Sequence, residues 1–126
     1  MLFDSEFLIA ASGQRGAPRQ AAAAAFLRAH LDTPLYTSRV CWAEFAEGCA
    51  NMHEANHGTG RFTVIEIDQA IAWQCARVSR HLVRRGLHIG DNDVWIAATA
   101  LAHSLSFVTR NARHFGRIAG LVLEIY

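Results

Sequence analysis

The chain has 126 residues, of which 52% are hydrophobic and 18% charged, and its formal net charge at pH 7 is only +1. This length suits one domain, residues 1–126, and the composition argues against disorder while leaving apolar surface for a core and for self-association. No run approaches the roughly 20 apolar residues that cross a bilayer, so we expect a cytoplasmic protein with no part in the membrane.

The first half of the chain predicts strands that alternate with helices. "MLFD" predicts a short buried strand that ends in a carboxylate, Asp4, and "SEFLIAASG" predicts a helical turn or two. Proline in the first turn and a run of alanine predict a helix over residues 18–30. "PLYTS" predicts a strand whose Ser38 caps a helix over residues 39–56, a stretch that is helical by composition apart from Gly48, and Glu44 lies two turns into that helix.

The second half continues the alternation. "RFTVIEID" predicts a strand, and apolar residues at helical spacing predict a helix over residues 69–85 that Gly86 ends. "DNDVWIAATALAHS" predicts an apolar helix that carries Asp91 and Asp93 in its first turn, and "LSFVT" predicts the next strand. A turn with a short helix, "RNARHFGRI", and a closing strand, "LVLEIY", complete the chain.

This alternation predicts the α/β class, as a three-layer α/β/α sandwich around a central, mostly parallel sheet. In such a sheet, ligands bind beyond the carboxyl ends of the strands, near the point where the strand order reverses. Asp4, Glu44, Asp93 and Asn111 each follow the end of a strand, directly or early in the next helix. The fold should therefore group them in an acidic pocket.

Three carboxylates in one pocket repel one another, so they need either a cation or bound protons. Magnesium is the natural partner, because it prefers oxygen ligands and can activate a water molecule against a phosphodiester. The sequence thus favours metal-dependent phosphodiester chemistry at this site.

The segments "LFDSEFLIA", "TSRVCWAEFAEG" and "IGDNDVWIAATALAHSLSFVTRNARHFGRIAGLVLEIY" resemble, in this order and spacing, the PIN-domain nucleases, and within them the VapC-like toxins of bacterial toxin–antitoxin pairs. The resemblance covers essentially the whole chain and is most specific from Ile89 to Ile118. It implies that Asp4, Glu44 and Asp93 are catalytic ligands of Mg²⁺ or Mn²⁺. It also implies an endoribonuclease that cuts RNA, often transfer or ribosomal RNA, forms a homodimer and is held inactive by an antitoxin protein.

The chain departs from the family pattern at the fourth acidic position. Many relatives carry an acid near Asn111, and an amide there leaves a second metal in doubt and a one-metal reaction possible. Glu6 or Asp91 could replace the missing charge, and Asp91 is the better candidate as a further metal ligand. Its alternative role is to cap the helix that follows it.

Three residues are candidates for contact with RNA. Arg110 could hold a phosphate, Asn111 could position the metal or the substrate, and Ser5 could hydrogen-bond a water of the cation or simply cap a helix. Glu44 also has a structural alternative, which is an ion pair with Arg39. The arginines of residues 77–85 are interpreted as a solvated helix face.

The stretch "HEANH" spells the H-E-x-x-H pattern, in which two histidines on one helix face bind zinc and the glutamate activates its water. A zinc hydrolase that uses His53, Glu54 and His57 is therefore an alternative function, with Glu66 or Asp68 as the third ligand. However, "GTG" follows His57 and should end the helix there, so we interpret the motif as a solvated helix end.

A second alternative is a catalytically silent PIN-like module that binds protein or RNA, because the amide of Asn111 would weaken the metal site. The remaining histidines show no ligand spacing, and we interpret them as surface or helix-end residues: His30, His81, His88, His103 and His114.

Overall fold

The computed structural model describes residues 1–126, and its centre is a five-stranded sheet in the order β3-β2-β1-β4-β5. The strands are β1 Leu2–Phe3, β2 Tyr36–Ser38, β3 Thr63–Ile65, β4 Phe107–Val108 and β5 Leu123–Glu124. All four neighbouring pairs are parallel, and Leu2 lies beside both Tyr36 and Phe107. The predicted α/β class is confirmed, with a sheet that is parallel throughout.

Seven helices connect the strands. They are α1 Ser5–Ala11, α2 Ala17–Ala29, α3 Arg39–Ala46, α4 Met52–Gly58, α5 Gln69–Arg84, α6 Asp91–Ala102 and α7 Ala112–Phe115. Local signals explain several starts: proline stands in the first turn of α2, and the Asp68 carboxylate accepts the Ile71 N–H at 2.9 Å at the start of α5. No helix is long and apolar enough to cross a membrane.

The prediction of one helix over residues 39–56 is wrong, because the chain breaks into α3 and α4; Gly48, the exception in its helical composition, lies in the break. Asn51 starts α4: its side chain accepts the Glu54 N–H at 3.0 Å, and the Glu54 carboxylate accepts the Ala50 N–H at 2.9 Å. These two bonds resemble a capping box, except that the Glu54 carboxylate accepts the N–H of Ala50, the residue before the N-cap Asn51. They let α4 fold back on α3 until Gly58 touches the ring of Phe45, where a Cβ would lie only 2.7 Å from Cζ.

The core lies on both faces of the sheet. Successive strand residues point to opposite faces, yet Leu2 and Phe3 are both fully buried, as are Phe107 and Val108. Phe3 and Phe7 pack with ring centroids 4.6 Å apart at the centre of an aromatic cluster. Helices therefore cover the sheet on each side, which leaves the carboxyl edge of the strands as the place for polar groups.

The strand order reverses direction at β1, between β2 on one side and β4 on the other. β1 is central, β2 and β3 extend to one side of it, and β4 and β5 extend to the other. Asp4 directly follows β1 and Thr109 directly follows β4, so the residues after these two strands meet at the switch point of the fold.

Candidate active site

A cleft of about 450 Å³ opens at this edge, and five of its nine lining residues are acidic. Asp4, Glu44 and Asp93, the three predicted ligands, all line it. The other six are Ser5, Glu6, Ile9, Glu47, Asn92 and Asn111. The expected acidic pocket exists, although no lining residue is basic and Arg110 is not among them.

Asp4 forms the floor of the cleft and is only 6% exposed. Its backbone N–H donates to the Val108 carbonyl at 3.1 Å, and its Oδ2 accepts the Thr109 hydroxyl at 2.6 Å. Burial raises the pKa of Asp4 to about 6, and repulsion from Asp93 and Glu44 acts in the same direction against the Thr109 hydrogen bond. A buried acid is thus held in place by a neutral donor, and its charge is not cancelled.

Glu44 projects from α3 and is held by two neutral donors. Its Oε2 accepts the Ser5 hydroxyl at 2.6 Å, and its Oε1 accepts the Asn92 side-chain amide at 2.9 Å. The alternative ion pair with Arg39 is wrong, because Arg39 bonds Glu66 instead. No basic side chain therefore pairs with Glu44 at the cleft.

Asp93 lies in the first turn of α6, and its side chain is 26% exposed. Partial burial raises the pKa of Asp93, repulsion from Glu44 adds to the rise, and His114 opposes it. The Nδ1 atom of His114 lies 3.6 Å from Asp93 Oδ2, slightly beyond a normal hydrogen bond. The interpretation of His114 as a plain surface or helix-end residue is therefore incomplete, because that nitrogen is buried beside the site.

The predicted substrate-contact residues lie in different positions. Ser5 is buried between two acids, 3.4 Å from Asp4 Oδ1 and bonded to Glu44, and Asn111 lines the cleft. Arg110 is exposed outside the cleft lining, with its guanidinium 5.5 Å from the ring centre of Tyr126. Ser5 is thus a contact of the acids themselves, and Arg110 is available only at the rim.

The two candidates for a replacement charge differ from expectation. Asp91 does not cap α6: Gly90 is the N-cap residue, and Asp91 is the exposed first helical residue outside the cleft lining. Glu6 lines the cleft, but its carboxylate pairs with Arg15 at 2.7 Å and Arg19 at 3.4 Å. Neither residue adds a free carboxylate to the three acids.

Several site residues were missed by the sequence analysis, namely Glu47, Asn92, Thr109 and His114. Thr109 ends the predicted strand "LSFVT" at the edge where ligands bind, so strand position alone could have identified it. Asn92 lies between Asp91 and Asp93, and an asparagine in the first turn of a helix carries no specific signal of a site. His114 gives no sequence signal, because its role depends on the direction of α7.

The H-E-x-x-H motif does not form a metal site here. His53 and His57 are exposed on α4, which ends at Gly58, and the Glu54 carboxylate accepts the Ala50 N–H. No group of three His, Cys, Asp or Glu side chains in the chain is arranged as a set of metal ligands. The motif therefore has no third ligand.

The acidic cleft likewise contains no three such side chains in the arrangement of a metal coordination shell; its oxygen atoms surround an open space. The donor chemistry nevertheless fits a hard divalent cation, because Asp4, Glu44 and Asp93 supply carboxylate oxygens and Asn92 and Asn111 supply amide oxygens. Burial raises the pKa of Asp4 and of Asp93, repulsion among the acids adds to the rise, and a bound cation would favour the charged forms. The cleft is thus electrostatically suited to a cation.

Comparison with known proteins gives a consistent result. A family model of the PIN domain matches residues 1–121. Ribonuclease VapC1 of Methanocaldococcus jannaschii is 35% identical over 65 residues, which cover 52% of this chain and 48% of that protein. The tRNA(fMet)-specific endonuclease VapC of Shigella flexneri is 36% identical over 64 residues, which cover 51% of this chain and 48% of that protein. The chain thus spans about half the length of these curated relatives.

A solved structure extends the likeness over the whole fold. A toxin–antitoxin complex from Klebsiella pneumoniae contains a chain that is 29% identical, with a TM-score of 0.71 over 96% of this chain and 94% of that one.

Proposed function

We propose, from the premise that this chain belongs to the PIN domain family, that it is a metal-dependent endoribonuclease and the toxin of a toxin–antitoxin pair. The observation that carries the proposal is the meeting of Asp4, Glu44 and Asp93 in one cleft at the carboxyl edge of the sheet. The names of the similar proteins, two ribonucleases and a toxin–antitoxin complex, support the same reaction and the same biological setting.

The three acids would hold Mg²⁺ or Mn²⁺. When bound, the ion would supply Lewis-acid charge for the hydrolysis of a phosphodiester bond. The residues of the chain prepare that site: Thr109 orients Asp4, while Ser5 and Asn92 fix the two oxygens of Glu44. These neutral donors position the carboxylates without cancelling the charge that attracts the cation.

Substrate contact would involve the polar rim of the cleft. The Asn111 side chain lines the cleft and can hydrogen-bond RNA, and the exposed guanidinium of Arg110 can pair with a phosphate beside it. We propose transfer or ribosomal RNA as the target, a cognate antitoxin as the inhibitor, a homodimer as the active form and the cytoplasm as the place of action.

The decisive experiment is cleavage of a mixed single-stranded RNA by the wild type, Asp4→Asn and Asp93→Asn, in magnesium, in manganese and in EDTA. We expect cleavage by the wild type that requires the metal, and a loss of at least about 100-fold in both variants, because each removes a charged ligand. Asp91→Asn is the matched control: it removes an acid from the same turn of α6, outside the cleft, and should cleave like the wild type.

Calorimetric titration with Mn²⁺ completes the test. Metal binding without cleavage would point to a narrow RNA target, and transfer RNA would be the next substrate tried. Cleavage that survives in Asp93→Asn, or a wild type that neither binds Mn²⁺ nor cleaves RNA, would contradict the proposal.

A further inference from the structure

His114 lies behind the acidic cleft on α7, the four-residue helix that follows β4. Its neighbour Phe115 anchors the helix: that ring is 1% exposed and packs on Phe107 with centroids 4.6 Å apart. The His114 backbone N–H also donates to the Asn111 carbonyl at 3.1 Å. Core packing therefore fixes the backbone from which the imidazole projects.

The Nδ1 atom of His114 is buried and has no hydrogen-bond partner, although the side chain as a whole is 45% exposed. Buried polar atoms are almost always paired in folded proteins, so an unpaired one needs a physical explanation. Asp93 Oδ2 lies 3.6 Å away, and a small movement of either side chain would close this distance to a hydrogen bond.

Asp93 is the one predicted ligand whose carboxylate has no hydrogen bond from another side chain within normal distance. Asp4 receives the Thr109 hydroxyl, and Glu44 receives Ser5 and Asn92. The corresponding donor nearest to Asp93 is the Nδ1 atom of His114, 3.6 Å from Oδ2. The imidazole is absent from the cleft lining, and its contact with the site is the approach of Nδ1 to the Asp93 carboxylate.

We propose that His114 is a positioning residue, whose Nδ1–H donates to Asp93 Oδ2 and holds this carboxylate in place as a ligand of the divalent cation. The inference rests on the proposed metal-dependent function and adds a chain-specific determinant of metal affinity. Partners of metal-ligating carboxylates commonly contribute a factor of about 10 to 100 in affinity.

The test is calorimetric titration of the full chain with Mn²⁺, for the wild type, His114→Ala and His114→Asn, together with thermal melts in EDTA. His114→Ala should bind Mn²⁺ about 10-fold more weakly or worse, with an unchanged metal-free melting temperature. His114→Asn places an amide N–H near the position of Nδ1 and should restore most of the affinity. His103→Ala, an exposed histidine at the end of α6, is the matched control and should bind normally.

Each other outcome overturns the inference in a distinct way. Wild-type affinity in His114→Ala would overturn the positioning role and leave the proposed nuclease intact. Equal weakening in the alanine and asparagine variants, with the metal-free fold intact, would mean that the ring itself, and not its hydrogen bond, matters. A wild type that binds no Mn²⁺ would overturn both this inference and the proposed function.

Discussion

At the scale of single residues, the cleft holds two of its proposed metal ligands, Asp4 and Glu44, with neutral donors. A hydroxyl holds Asp4, and a hydroxyl and an amide hold Glu44. The nearby arginines bond other acids, Arg15 the Glu6 carboxylate at the cleft wall and Arg39 the Glu66 carboxylate outside it. An arginine in the cleft would stabilise the acids but also compete with a cation for them. The arrangement keeps the acids ordered and electrostatically unsatisfied, which favours metal binding over local stability.

The first prediction is that ionised Asp4 lowers the free energy of unfolding of the metal-free protein. The folded-state pKa of Asp4, about 6, lies above its ordinary value of 3.8, so the folded state binds the proton more tightly than the unfolded state. The stabilisation from this proton is full below about pH 4 and lost as pH rises through about 6. Asp4→Asn should therefore raise the free energy of unfolding at pH 8 by up to roughly 3 kcal/mol.

Urea denaturation in EDTA checks this at about pH 4 and pH 8. The advantage of Asp4→Asn should nearly vanish at the lower pH, because the wild-type carboxyl is then already neutral in the folded state. An advantage of equal size at both pH values would show that packing, and not ionisation, separates the two proteins.

The second prediction concerns Thr109, which joins two parts of the site. Its hydroxyl donates to Asp4 Oδ2 at 2.6 Å and accepts the Asn111 backbone N–H at 3.0 Å. Thr109→Val keeps the shape but removes both bonds, so we expect Mn²⁺ affinity, measured by calorimetry, to fall about 10-fold. Thr99→Val is the matched control, because that buried hydroxyl bonds only the Trp95 carbonyl, and it should bind normally. Normal binding by Thr109→Val would argue that Asp4 needs no orienting donor.

At the scale of elements, helices and strands were predictable where local signals agree. Proline and alanine mark α2, and Gly86 follows the end of α5 as expected. Gly48 was the exception in the helical composition of residues 39–56, but composition, which is helical on both sides of it, did not predict two separate helices, α3 and α4. The break between them depends on the hydrogen bonds of Asn51 and Glu54 at the start of α4 and on the contact between Gly58 and Phe45. The contact joins residues that only the fold brings together.

The third prediction tests that contact. Gly58→Ala would ordinarily stabilise a helix, but here the new Cβ would lie 2.7 and 2.8 Å from two atoms of the buried Phe45 ring. The ring must shift within the core, so we expect a loss of about 1–3 kcal/mol in the free energy of unfolding, measured by urea denaturation. Asn56→Ala, an exposed change in the same helix, should be neutral or slightly stabilising. If Gly58→Ala were equally well tolerated, the close packing of α4 on α3 would not matter for stability.

At the scale of the whole molecule, the site joins residues that are far apart in the chain. The sequence predicted the grouping of Asp4, Glu44 and Asp93, because parallel strands end at one edge and the switch point lies there. It did not predict that Asp91 points outside the cleft or that His114 lies beside Asp93. Strand order follows from general rules of topology, but the direction of a side chain within a helical turn depends on packing around it.

This assembly from distant residues leads to the last prediction, which is that Mn²⁺ stabilises the whole fold. The unfolded chain separates Asp4, Glu44 and Asp93 and cannot hold the ion tightly, so binding shifts the folding equilibrium by mass action. With free Mn²⁺ at 100 times its Kd, the free energy of unfolding should rise by about 2.7 kcal/mol, seen as a higher melting temperature. Asp93→Asn should lose this rise. Asp91→Asn, two residues earlier in the same turn of α6 but outside the cleft, should keep it. If Asp93→Asn also kept the rise, the ion would bind outside the acidic cleft, because this variant removes a carboxylate from the cleft lining.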